Sequence, residues 1–149
     1  MTETTSVRDR LLDATIEAAS IHGLSRLSVG DVAGRAGLSR QTLYKHFPSK
    51  DALIAEAVLR EAQDMVVQIV AAAEAYDDAQ ESLEAGILLT LQVTREHPLL
   101  DRLVRTEPEA LLPLLVGDGG VVAGAVRSVV EQIIGQRLPQ LEAVEIRRV

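Results

Sequence analysis

Residues 28–50 read SVGDVAGRAGLSRQTLYKHFPSK, and the punctuation of this stretch decides the fold. Ser28 is a good N-cap, and Asp31 three residues later completes a capping-box pattern. Leu27 and Val32 occupy the hydrophobic-staple positions on either side. Val29, Val32, Ala33 and Ala36 then give an i, i+3, i+4, i+7 apolar face, and Gly37 ends the helix. Ser39 caps the next helix at once, with Leu38 and Leu43 as its staple. Leu43 and Phe47 form its inward face, and Pro48 stops it because proline cannot continue the hydrogen-bond ladder. Ser49 caps a further helix that begins at Lys50. Two short helices joined by a tight glycine turn make a helix-turn-helix.

The reading extends in both directions from there. Upstream, Val7, Leu11, Ala14, Ala18 and Ile21 form one helical stripe to His22, where Gly23 offers a left-handed C-cap. Downstream, Leu53, Ala57, Val58, Met65, Ile69, Val70 and Ala73 carry a long helix to about Ala75. After Tyr76-Asp77-Asp78, another periodic run extends from Gln80 to His97, and Pro98, Pro108 and Pro113 punctuate two shorter pieces. Gly117-Asp118-Gly119-Gly120 is the strongest loop signal. An apolar helix is expected over 121–134, ended by Pro139, with the opening of another over 141–149. No strand pattern or internal repeat interrupts this. The expected architecture is all-α: an N-terminal three-helix head over residues 1–50, joined by a long helix to a helical body over 51–149.

Composition excludes several classes of function. The chain has 149 residues, 47% of them hydrophobic, enough for a sizeable core. The absence of cysteine removes disulfides, thiolate metal sites and cysteine nucleophiles. No signal-peptide pattern and no apolar run long enough for a bilayer is present, so a cytoplasmic protein without membrane contact is expected. The net charge of −7 is unevenly distributed. Residues 1–50 hold seven of the fifteen Lys/Arg and five of the twenty-two Asp/Glu, a balance of +2 against −9 for the remainder. Both lysines of the chain, Lys45 and Lys50, lie between residues 39 and 50, where no acid occurs. Local neutralisation of phosphates governs DNA affinity, so a small basic head on an acidic body is compatible with binding.

With Leu43 and Phe47 turned inward, the remaining face of the third helix is Arg40, Gln41, Thr42, Tyr44, Lys45 and His46. All six can form hydrogen bonds and none is acidic. A helix lying in a DNA major groove needs such a face, with long side chains near its start for base edges and groups along its sides for phosphates. Arg40 suits guanine O6/N7, and Gln41 suits adenine N6/N7. An ordinary solvated polar helix is the plainer alternative. It leaves unexplained the two capped helices, the exclusion of acids and the clustering of both lysines.

The run LSVGDVAGRAGLSRQTLYKHFPSKDALIAEAV, residues 27–58, closely resembles the helix-turn-helix of the TetR family of repressors. Leu43-Tyr44-Lys45-His46-Phe47 followed by Pro48-Ser49-Lys50 is the most family-specific part, and the likeness covers roughly residues 7–60. The resemblance implies phosphate contacts from Ser28, Tyr44, His46 and Lys50, and base contacts from Arg40, Gln41 and Thr42, with Lys45 in either role. Ala19 departs from the pattern where an aromatic is frequent. Gly30 stands where a longer side chain is common, so a contact from that position is expected to be missing.

Family resemblance further implies a ligand-responsive repressor. Its helical body would bind a small effector and form a homodimer, so that two heads meet an inverted-repeat operator in double-stranded DNA. Leu88, Leu91, Gln92, Arg95 and Arg102 are the candidate pocket residues, with ordinary core and surface packing as their alternative role. With three aromatics in the chain, an aliphatic pocket for an apolar effector is expected. Family members usually continue for further pairing helices, whereas this sequence stops at Val149 soon after Glu142-Ala143-Val144-Glu145-Ile146 without a capping signal. The expectation is therefore a body incomplete at its C-terminus, or pairing through the apolar 121–134 helix. Two rival functions remain. A helical interaction module would leave the basic face unused. An enzyme would need a metal-ligand, triad or glycine-rich phosphate motif, and His22, His46 and His97 have no such spacing. No cofactor or metal is expected.

Overall fold

The structure is a computed structural model that describes residues 6–110 together with Gly124 and Arg127. The described residues form an all-α fold of six helices: α1 (Val7–His22), α2 (Val29–Arg35), α3 (Arg40–His46), α4 (Lys50–Glu74), α5 (Ala79–Glu96) and α6 (Pro98–Thr106). Residues 108–110 add one helical turn. The expected loop at 117–120 and the segment 141–149 lie outside the described residues, as does most of the 121–134 helix, within which Gly124 and Arg127 are helical.

Capping chemistry sets most of the boundaries. Ser6 and Asp9 form a complete capping box at the start of α1. Ser39 accepts from the Thr42 N–H at 3.1 Å, and Ser49 from the Ala52 N–H at 3.0 Å. Ser28 behaves differently: its side chain makes no cap hydrogen bond. Asp31, expected to answer it, is drawn instead to Arg35 at 3.0 Å and His22 at 3.7 Å. Gly23 has positive φ as expected, but with φ 84° and ψ 165° it lies outside the left-handed helical region. Ile21 is 48% exposed rather than part of the α1 stripe. The buried residues of α1 are Leu11, Leu12, Ala14, Thr15, Ala18 and Ala19, and at about 100° per residue Ile21 falls at the edge of that arc.

One apolar cluster holds the head together and crosses residue 50. It joins Leu11, Ala18 and Ala19 of α1, Val32 and Ala33 of α2, Leu43 of α3, Phe47, Leu53 and Ala57 of α4, and Leu99 and Leu103 of α6. α1 is its centre and packs against α2, α4 and α6. α4, 25 residues and about 37 Å long, turns at 75–78 and pairs with α5 in antiparallel fashion. Ser82 Oγ donates to the Ala73 carbonyl at 2.7 Å, and Gly86 lies opposite Ile69 and Ala73.

Two polar contacts fasten α6 in place. His97, the N-cap of α6, meets Glu61 of α4 at 2.8 Å. That hydrogen bond holds the Glu61 carboxyl below its usual value, against the opposing effect of burial. At the other end, Glu107 is 8% exposed, and its carboxylate accepts the Ser25 N–H at 3.0 Å. The last residue of the α6 cap therefore grips the turn between α1 and α2.

Candidate nucleic-acid interface

The α2–turn–α3 unit is held from behind by arginines of α1. The Arg8 guanidinium lies 4.5 Å from the Phe47 ring centroid, donates to the His46 carbonyl at 3.0 Å, and forms a two-point pair with Glu56 of α4. Arg10 donates to the Ala36 carbonyl, at the C-cap of α2. Each short helix thus has its C-terminal carbonyl end met by a cation, where the helix dipole favours one. Arg35 pins α2 to α1 through Glu17 at 2.9 Å, and Arg60 pins α4 to α1 through Asp13 and Asp9. None of these four tethers stands out in the sequence, because each joins residues on different helices.

The opposite face is polar and unpaired. Arg40, Gln41, Tyr44, Lys45 and His46 are exposed, Tyr44 at 52%, while Leu43 and Phe47 are fully buried. Thr42 and Lys50 are partly buried. Among the described residues, the side chains of Arg40, Gln41, Lys45, His46 and Lys50 make no hydrogen bond or ion pair. Thr42 shares a 2.9 Å hydrogen bond with Ser39, and the Ser28 hydroxyl is uncommitted. The structure brings the eight sequence-derived residues onto the α2–α3–α4 start region. It also adds one that sequence reasoning missed: Arg26, an exposed and unpaired cation two residues before Ser28. Its position in a turn outside any periodic pattern gave no signal.

The pocket candidates lie elsewhere, on the body. Leu88 and Leu91 of α5 are 66% and 63% exposed, Gln92 and Arg95 are exposed, and Arg102 of α6 is half-buried with its Nε unpartnered. A shallow groove of about 660 Å³ between α1 and α4 is lined by other residues, including Leu12, Ala55 and Leu59. Among the described residues, no group of three or more His, Asp or Glu side chains could hold a metal ion. None of the described helices is long and apolar enough to cross a membrane.

A head of this geometry, with a buried back and a free basic front, defines a helix-turn-helix regulator. The family model for bacterial regulatory proteins of the tetR family matches residues 11–57. An uncharacterized HTH-type transcriptional regulator of Mycobacterium tuberculosis, Rv1255c, is 32% identical over 92 residues, 62% of this chain and 46% of its own length. The regulator RutR of Escherichia coli K12 is 32% identical over 108 residues, covering 72% of this chain and 50% of RutR. The structure of AlkX, a TetR family repressor from a Dietzia strain implicated in biodegradation of n-alkanes, superposes with a TM-score of 0.72 at 26% identity. That superposition covers 95% of this chain and 76% of AlkX. The chain belongs to the TetR family of transcriptional regulators. It spans about half the length of the curated relatives it matches. Members of this family are regulators and not enzymes, which answers the enzymatic alternative.

Proposed function

We propose that this protein is a sequence-specific repressor that places α3 in the major groove of an inverted-repeat operator. One observation carries the reading. Four arginines of the helical framework (Arg8, Arg10, Arg35 and Arg60) are engaged internally, while Arg40, Lys45, Lys50 and Arg26 have no partner among the described residues. Cations without internal partners are the ones able to neutralise phosphate. Arg40, Gln41, Thr42 and Lys45 are assigned to base edges. Ser28, Tyr44, His46 and Lys50 are assigned to phosphates, joined by Arg26.

Footprinting across the promoters of its own and neighbouring genes tests this. Protection of a two-fold symmetric site is expected; uniform, sequence-blind binding would overturn it. Lys50→Ala should weaken all sequences alike and flatten the dependence of log K on log salt by about one per phosphate that Lys50 neutralises. An unchanged slope would remove Lys50 from the phosphate set.

The body is assigned a small, largely apolar effector and the pairing of two subunits. The chain's aliphatic composition supports an apolar compound, as does the likeness to a repressor implicated in n-alkane biodegradation. Leu88, Leu91, Gln92, Arg95 and Arg102 remain the candidate contacts. Leu83, Ile87, Leu88 and Leu91 give α5 an exposed apolar face of the kind that a ligand or a second subunit covers.

A further inference from the structure

Gly30 is the second residue of α2 and Arg40 the first of α3. A Cβ built on Gly30 would come within 2.7 Å of the Arg40 Nε and 2.9 Å of its Cζ, and nearer still to Nη2. Ordinary carbon contacts need about 3.5–4.0 Å, so no side chain at position 30 is compatible with this placement of the guanidinium. The backbone does not ask for glycine here: the described glycines with positive φ are Gly23 and Gly37. Gly34, one turn later in the same helix, faces open space. Within α2 the crowding is therefore confined to position 30, and its source is one side chain from the neighbouring helix. Arg40 also makes no hydrogen bond or ion pair with any described residue, so all its donors are free for a ligand.

We propose that Gly30 is a specificity-determining residue. By leaving α2 bare, it lets the Arg40 guanidinium occupy the place that an α2 side chain would fill. Gly30 and Arg40 then act as one recognition unit. What position 30 cannot reach for itself is supplied from α3, by an arginine whose course is set by its packing against α2. An arginine held this way loses less rotamer freedom on binding than one free in solvent, which sharpens its preference for a single guanine. The inference rests on the operator reading above.

The test is selection from randomised operators with the full chain, followed by affinities on single-base variants, for wild type, Gly30→Ala and Arg40→Ala. Both variants are expected to lose preference at the same base pair of each half-site, by about fivefold or more. Gly30→Ala should keep the wild-type salt slope. Its Tm should be equal or higher, because only the end of a flexible side chain must move and alanine favours the helix. Wild-type preference retained by Gly30→Ala at the base pair that Arg40→Ala relaxes would overturn the proposal, as would relaxation at a different base pair. A Gly30→Ala chain that unfolds would overturn the premise that only the guanidinium must give way. Absence of any selection by the wild-type chain overturns the operator reading itself, and this failure appears before any variant is compared.

Discussion

Phe47→Ala is expected to destabilise the head by about 3–5 kcal/mol and to weaken operator binding along with it. Phe47 heads the largest fully buried side chains and is 1% exposed. It closes α3 as its C-cap, with Pro48 immediately after it, so its backbone is already committed to leaving the helix. Its ring belongs to the cluster that joins α1, α2, α3, α4 and α6, and the Arg8 guanidinium lies over its face. Truncation to alanine removes about 3–5 kcal/mol, through the transfer energy of the missing ring and the cavity left behind. A domain of ordinary stability has about 5–15 kcal/mol in total. Phe47→Leu, which keeps most of the volume, should fold but lose the platform beneath Arg8. Denaturant titration of the two variants, with DNA binding measured in parallel, checks this. A Phe47→Ala chain with wild-type stability would mean that the α3 end is not part of the core.

Gly23→Ala is the second change with a large expected effect, and it acts from the opposite side of the head. At φ 84° and ψ 165°, Gly23 occupies backbone territory that is almost confined to glycine, at a cost of about 1–3 kcal/mol for other residues. The new Cβ would also overlap the Glu107 carboxylate, lying 2.7 Å from its Cδ and 3.2 Å from Oε2. That buried carboxylate would be forced off the N–H of the exposed Ser25, losing that hydrogen bond at about a further 1 kcal/mol. The two contributions can be separated. Glu107→Ala alone loses the hydrogen bond, and Gly23→Ala in that background should cost only the backbone strain. A double-mutant cycle should therefore show at least about 1 kcal/mol of coupling. Strict additivity would show that the clash with Glu107 contributes nothing.

The head was legible in the sequence because local signals agree there. The caps at Ser39 and Ser49, the stop at Pro48 and the pairing of Leu43 with Phe47 all act within a few residues, and the structure places each as expected. Legibility failed where the deciding partner is remote or competes. Asp31 was expected to answer Ser28, but Arg35 one turn later is the stronger claimant. Nothing local in the sequence marks the partners of Arg8, Arg10 and Arg60, which lie 26 to 51 residues away. Glu107 and Ser25 are separated by 82 residues, and no local pattern marks either. Arg40, Lys45 and Lys50 stand out in the sequence because no acid lies among residues 39–50, but nothing local shows that Arg8 and Arg10 of α1 are tethered. On the body, Leu88 and Leu91 show helical periodicity without showing what they face, because an apolar stripe has the same spacing whether it meets core, ligand or a second subunit.

The presence of Leu99 and Leu103 of α6 inside the core of the head has a practical consequence for engineering. Regulators of this shape invite the exchange of reading heads between bodies, with the cut placed along the connecting helix. Here such a graft at about residue 60 would leave the α1 surface that meets α6 bare, and the α1–α2 turn without its carboxylate. The smallest transplantable unit is discontinuous in the chain: the first four helices and the segment from His97 to Glu107 together. A recipient body would have to present a matching segment at the same height, or the borrowed head would arrive with a hole in its side.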